Sequence, residues 1–256
     1  MSNSKIHKKY IASATQLQGL IDNFDTGGTL VGDGDRNKIK TFELNEKTIS
    51  IKSFKIPNLI NQVVYKYFRK SKAERSFEYA NNLIDYGIGT PKPIAFFENK
   101  SLLGLQESYY ICEHLNYDLT YRELVTNPEY PDAENILRQF TKFTWRLHEK
   151  GIYFKDHSPG NTLIIQHEKE YSFFLVDLNR MSFFKLDFEA RMKNFSRLTP
   201  KKEMVQIMSD AYAKLSGDNS EKVFEKMWFY TQQFQEKFHR KKRLKQKLLR
   251  KKQFII

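Results

Sequence analysis

Apolar and polar residues alternate with a period of two over much of the first part of the chain, and recur every three to four residues over much of the second. The first 25 residues are mixed and predict no element. Turn signals follow at Thr26-Gly27-Gly28 and Gly32-Asp33-Gly34-Asp35. Runs at 39–44 and 48–54 predict two strands, and the short Asn45-Glu46-Lys47 link is of hairpin size. In the second run Ile49 and Ile51 point to one face, while Ser50, Lys52 and Phe54 point to the other. Pro57 opens a mixed segment up to Lys72. Residues 73–86 predict a helix stopped by Gly87 and Gly89, with Pro91 and Pro93 just beyond. Two further strands are predicted at 93–98 and 109–113.

The period then lengthens. Pro131-Asp132 opens a helix to about residue 150, where Ile136, Phe140, Phe143 and Leu147 form one apolar stripe. Gly151 closes it. An irregular stretch, 155–161, follows. The apolar run at 162–165 and a partner at 171–176 predict a hairpin that leads into Asp177-Leu178-Asn179-Arg180. Residues 187 to about 236 read as helical. The expected class is α+β: a small β-rich lobe over 1–114, a mainly helical lobe over 115–236, a hinge near 113–116 and a separate tail over 237–256.

Composition narrows the function. A chain of 256 residues with 40% hydrophobic content affords an ordinary core. Its mean hydropathy is −0.64, and no 18-residue stretch lacks a charge, so no transmembrane helix is expected. The Lys/Ser-rich start has no apolar core of the kind a secretory signal needs. The single cysteine, Cys112, excludes intramolecular disulfides and thiolate-rich metal sites, and is expected to be buried. The six histidines show no metal-ligand spacing, so no zinc site is expected. No G-x-S-x-G motif points to hydrolysis.

The net charge of +13 is uneven. Ten of the 43 Lys and Arg fall between Lys237 and Lys252, with no acid among them, and removing those ten leaves 33 bases against 30 acids. The basicity is therefore mainly the tail's, and it suits an anionic surface such as acidic lipid. Phe234, Phe238, Leu244 and Leu248 are expected to dip into such an interface. Nucleic acid is a weaker fit, because aromatics are not interleaved with the bases.

The chemistry concentrates in residues 156–161, spaced D-x-x-x-x-N, with Asp177 16 residues after Asn161. Phosphoryl transfer needs a carboxylate to accept the proton of the attacking hydroxyl, and hard oxygen ligands to hold Mg²⁺ on the nucleotide phosphates. Asp156 fits the first role; Asn161 and Asp177 fit the second. Ile49-Ser50-Ile51-Lys52 resembles the strand whose lysine meets the α- and β-phosphates, with Lys55 as a competing choice. Glu78, or Glu74 one turn before it, is the expected acid to hold that lysine. Gly32 and Gly34 stand where a phosphate-covering loop belongs, although Asp33 and Asp35 place negative charge there. His148, at a helix end, is expected to be cationic, and His157 to touch substrate or cap its loop.

Taken together, these segments resemble the protein-kinase-like superfamily, and within it the lipopolysaccharide core kinases of the Kdo/heptose kinase family. The likeness is carried by the Lys52 strand, Arg75-Ser76-Phe77-Glu78, the Gly87-to-Ala95 run, Leu147-His148-Glu149-Lys150-Gly151, residues 156–161, and Val176-Asp177-Leu178-Asn179-Arg180. It covers roughly residues 27 to 215. It implies a two-lobed kinase-like fold, ATP and Mg²⁺ as cofactors, and a cytoplasmic enzyme peripheral to the inner membrane. The implied acceptor is a hydroxyl of a lipid-linked inner-core sugar, Kdo above all. Backbone groups of Glu113 and Leu115 would meet adenine. The chain departs from protein kinases at Phe154-Lys155-Asp156, at Ser158, which lacks their lysine, at Asp-Leu-Asn, and in having no Ala-Pro-Glu. Those departures argue for a small or lipid-linked acceptor over a peptide.

Overall fold

The computed structural model describes residues 2–32, 37–67, 69–101, 104–127 and 129–253. Two compact units emerge: Met1–Asn116 with Phe174–Arg180, and Tyr117–Phe173 with Met181–Ile256. The stretch carrying Asp177 thus packs with the first unit, a return that a single boundary near residue 114 does not contain.

The first unit is built on a six-stranded antiparallel sheet. Its elements are β1 (Ser2–Ile6), α1 (Ala14–Asp22), β2 (Thr29–Leu30), β3 (Asn37–Leu44), β4 (Lys47–Phe54), α2 (Leu59–Tyr67), α3 (Lys72–Asp85), β5 (Pro93–Lys100) and β6 (Leu105–Glu113). The strand order is β1-β5-β6-β4-β3-β2. The link between β3 and β4 is two residues long, with Leu44 opposite Lys47. Asn45 and Glu46 both take positive φ, 49° and 63°, the backbone of a turn whose twist matches a hairpin.

Alternation sorts the side chains. Ile49 and Ile51 join Phe42, Ile94, Phe97, Tyr109 and Ile111 in a core closed by Leu17 and Ile21 of α1 and by Phe24. Each such side chain, once removed from water, contributes about 1.5–3 kcal/mol. Helix α3 packs along β5, with Phe77 and Phe96 rings 5.7 Å apart. The Ser71 hydroxyl accepts the Glu74 N–H at 3.0 Å and starts α3.

The second unit is mainly helical. It contains β7 (Leu119–Thr120), α4 (Tyr121–Thr126), α5 (Ala133–Glu149), β8 (Ile152–Phe154), β9 (Thr162–Gln166), β10 (Tyr171–Leu175), β11 (Met181–Phe183), α6 (Phe188–Asn194), α7 (Lys202–Ser216) and α8 (Ser220–Gln253). The stripe read from the sequence is the buried face of α5: Ile136, Phe140 and Leu147 are fully buried and Phe143 nearly so. Strands β10, β9 and β7 form one small sheet, and β8 pairs with β11. Among the described residues no helix is long and apolar enough to cross a membrane.

The basic segment is no separate tail. It continues α8, whose earlier turns bury Val223, Met227 and Thr231, while residues 236–247 are exposed.

Candidate functional site

In the first unit, Lys52 leaves β4 on the face opposite Ile49 and Ile51. Its Nζ donates to Asp177 Oδ1 at 2.6 Å and lies 5.2 Å from the Phe54 ring centroid. The two side chains are 15% and 35% exposed, so the pair is neither fully wet nor dry. Asp177 adopts a left-handed backbone, φ 58°, and Asn179 Nδ2 donates to the same Oδ1 at 2.8 Å. A non-glycine residue held in that region marks a backbone fixed by its surroundings. The surroundings include Leu175, at the end of β10 that belongs to the first unit: its N–H donates to Gly89 O at 2.9 Å and Thr90 Oγ1 donates to its carbonyl oxygen at 2.8 Å.

The glutamate expected to hold Lys52 has another partner. Glu78 pairs with Lys70, and Glu74 lies 3.7 Å from the same ammonium. The reason is local: Lys70 stands just before α3, four and eight residues from the two acids, on the face they share. Burial, with Glu98 nearby, raises the Glu74 carboxyl above its usual range. Lys55 is exposed beyond the end of β4. Gly32 has φ 74° and open space around the position of a side chain. Gly34, with Asp33 and Asp35, lies outside the described residues.

At the end of β6, the Glu113 N–H donates to Lys92 O at 2.9 Å and the His114 N–H donates to Thr48 O at 3.0 Å. The Glu113 carboxylate accepts from Tyr10 Oη at 2.5 Å and lies 3.9 Å from Lys92. Leu115 follows directly. Cys112 is partly exposed as a residue, yet its thiol is shielded. Burial pushes it up to about 12, outweighing the charge of Lys52, so it is a protonated, unreactive neighbour.

In the second unit, residues 156–161 run from the end of β8 to β9. Asn161 Nδ2 donates to the Asp156 carbonyl oxygen at 2.8 Å. The amide nitrogen is thereby committed to the loop, and the amide oxygen is the donor atom it has left to offer a cation. Arg197 Nη1 donates to Asp156 Oδ1 at 2.6 Å and to the Lys155 carbonyl at 2.8 Å. Gly160 admits another cation: a side-chain carbon there would lie 2.7 Å from Arg122 Nη2. Neither arginine has a sequence signal tying it to the loop. The helix carrying Arg122 does have one, because Thr120 and Glu123 form a capping box.

Both histidines differ from expectation. His148 is not a surface cation at a helix end. Its Nδ1 lies 2.9 Å from Tyr212 Oη and its Nε2 3.1 Å from Asn194 Oδ1, and burial pulls its pKa down to about 3. His157 touches no open surface. It is fully buried beside the rings of Phe140 and Phe154, with centroids 5.3 and 5.8 Å away. Burial lowers it to about 4; the Asn194 side chain opposes this from short of hydrogen-bonding geometry, for neither ring nitrogen has a partner. Phe234 is partly buried, with the Arg197 guanidinium over its ring at 5.5 Å. Phe238 and Leu244 remain half exposed on α8.

Asp177 in the first unit offers a carboxylate and Asn161 in the second an amide oxygen, each held by a hydrogen bond within its own unit and each a hard oxygen donor.

Comparison with known proteins places these residues in context. The model of the lipopolysaccharide kinase (Kdo/WaaP) family matches residues 56–217. No curated protein sequence matches the chain. Among solved structures, one described as WaaP in complex with acyl carrier protein aligns with a TM-score of 0.64 at 11% identity, covering 92% of this chain and 98% of that one. At that identity the likeness speaks for the fold, which is protein-kinase-like.

Proposed function

Because the chain belongs to the lipopolysaccharide kinase (Kdo/WaaP) family, it is a phosphotransferase, and we propose that it moves the γ-phosphoryl group of ATP to a hydroxyl of a lipid A-linked inner-core sugar, with Kdo as the acceptor. The observation that carries this reading is the Lys52–Asp177 pair. The lysine assigned to the nucleotide phosphates and the carboxylate assigned to their metal are side by side, 125 residues apart in sequence.

In the proposed reaction the acceptor oxygen forms a bond to the γ-phosphorus. The bond from that phosphorus to the bridging oxygen breaks, and ADP leaves with its electron pair. Asp156 accepts the hydroxyl proton. Lys52 neutralises phosphate charge, and the Glu113 carbonyl and the Leu115 N–H receive adenine. Asn161 and Asp177 would hold Mg²⁺, which supplies charge neutralisation on the phosphate oxygens. Most of the rate comes from positioning and electrostatic stabilisation, as phosphoryl transfer requires.

The acceptor is itself anionic, and the exposed basic turns of α8 support a peripheral contact with the cytoplasmic leaflet of the inner membrane. Each Lys or Arg near such a surface adds about 1 kcal/mol. The structural neighbour's complex with acyl carrier protein offers a competing occupant for basic surface.

Three measurements test the reading. Purified protein with ATP, Mg²⁺ and Kdo-bearing lipid A should yield ADP and a phosphorylated sugar. Asp156→Asn should abolish turnover while nucleotide still binds. Full activity in that variant would remove Asp156 from the base role. Core oligosaccharide of unchanged mass in cells lacking the gene would remove this acceptor.

A further inference from the structure

The carboxylate proposed as base is not held by its own loop alone. Asn161 fixes the backbone carbonyl of Asp156, whereas the Asp156 carboxylate and the carbonyl preceding it are both taken by one nitrogen of Arg197, 41 residues on. Arg197 lies after α6, outside every motif of the sequence. Its side chain is 34% exposed against 13% for Asp156. Its Nε is buried without a hydrogen-bond partner, and the guanidinium lies over Phe234 of α8. A guanidinium lying over one ring, with one nitrogen shared between two oxygens, has little freedom to turn. Within the loop, Ser158 supplies no cation of its own.

We infer that Arg197 is the positioning residue of this reaction: it fixes the rotamer of Asp156, and Phe234 is the seat on which it does so. The inference rests on the reading of Asp156 as the base. The plane of the carboxylate sets the line along which an incoming hydroxyl must approach. Displacement of a reacting group by about 1 Å costs on the order of 10²-fold in rate. A residue that sets this line without touching the phosphates should act on kcat and leave nucleotide affinity alone.

The test uses the full chain with ATP and Kdo-bearing lipid A, following ADP formation, which reads transfer to sugar and to water alike. Arg197→Met keeps a stem over Phe234 and removes the donors. We expect kcat to fall about 10²-fold with KM for ATP changed less than twofold, and Arg197→Lys to recover at least tenfold of that loss. Phe234→Leu, which leaves both polar partners intact, should lower kcat several-fold and serves if Arg197→Met does not fold. Wild-type kcat in Arg197→Met or in Phe234→Leu, or a rise in KM for ATP that matches the fall in kcat/KM, overturns the inference. An active Asp156→Asn variant would instead overturn the function on which it stands.

Discussion

His148 and His157 lie inside the second unit as neutral rings, with pKa values drawn down to about 3 and 4 by burial. In the unfolded chain both titrate near 6.5, so below that pH the unfolded state binds more protons than the folded one. Stability conferred by keeping these rings neutral is therefore complete above about pH 6.5 and declines as pH falls toward 4. The slope is about 1.4 kcal/mol per pH unit for each ring. Urea unfolding at pH 7 and pH 5 should differ by about 3–4 kcal/mol, and His157→Leu should remove about half of that difference. Equal midpoints at the two pH values would contradict it. The aromatic cage around His157 was illegible because its members come from α5, β8 and the segment after α6. The D-x-x-x-x-N spacing was legible because all its information is local. Glu78 shows the converse: the acid was visible, but its partner depends on which lysine the fold brings close.

At the level of elements, the strands and helices with a strong period were readable, and those held by backbone pairing were not. Residues 136–147 announce α5 through a stripe the fold buries. Strand β1 has almost no apolar content, and pairs with β5 through main-chain bonds from Ser2 opposite Asn99 to Ile6 opposite Ala95. Helix α1 is nine residues long and commits only Leu17 and Ile21 to the core. The β3–β4 turn offers a test of local physics. Glu46 occupies a left-handed position that favours glycine. Glu46→Gly should raise stability by about 0.5–1 kcal/mol, seen as a higher urea midpoint at unchanged slope. A lower midpoint would show that the side chain outweighs the backbone strain.

For the whole molecule, charge distribution gives the clearest expectation. Residues 236–247 are exposed throughout, so replacing Lys241, Lys242, Arg243, Lys245 and Lys247 by Gln should leave the melting temperature nearly unchanged. The same variant should lose most of its sedimentation with anionic vesicles, and the residual wild-type binding should weaken as salt rises. Retained vesicle binding would reassign α8 to another partner. The +13 balance showed that such a surface exists. It did not show that the surface is the outer half of a helix whose inner half is core.

That continuity makes α8 a ruler and a clock hand at once. Its 34 residues extend roughly 50 Å at 1.5 Å per residue. A floppy tether would tolerate a change in length, whereas here one alanine inserted after Glu236 would swing every later cation about 100° around the axis. Capture of vesicles should then depend on the phase of the insertion, being poor after one or two added residues and restored near seven.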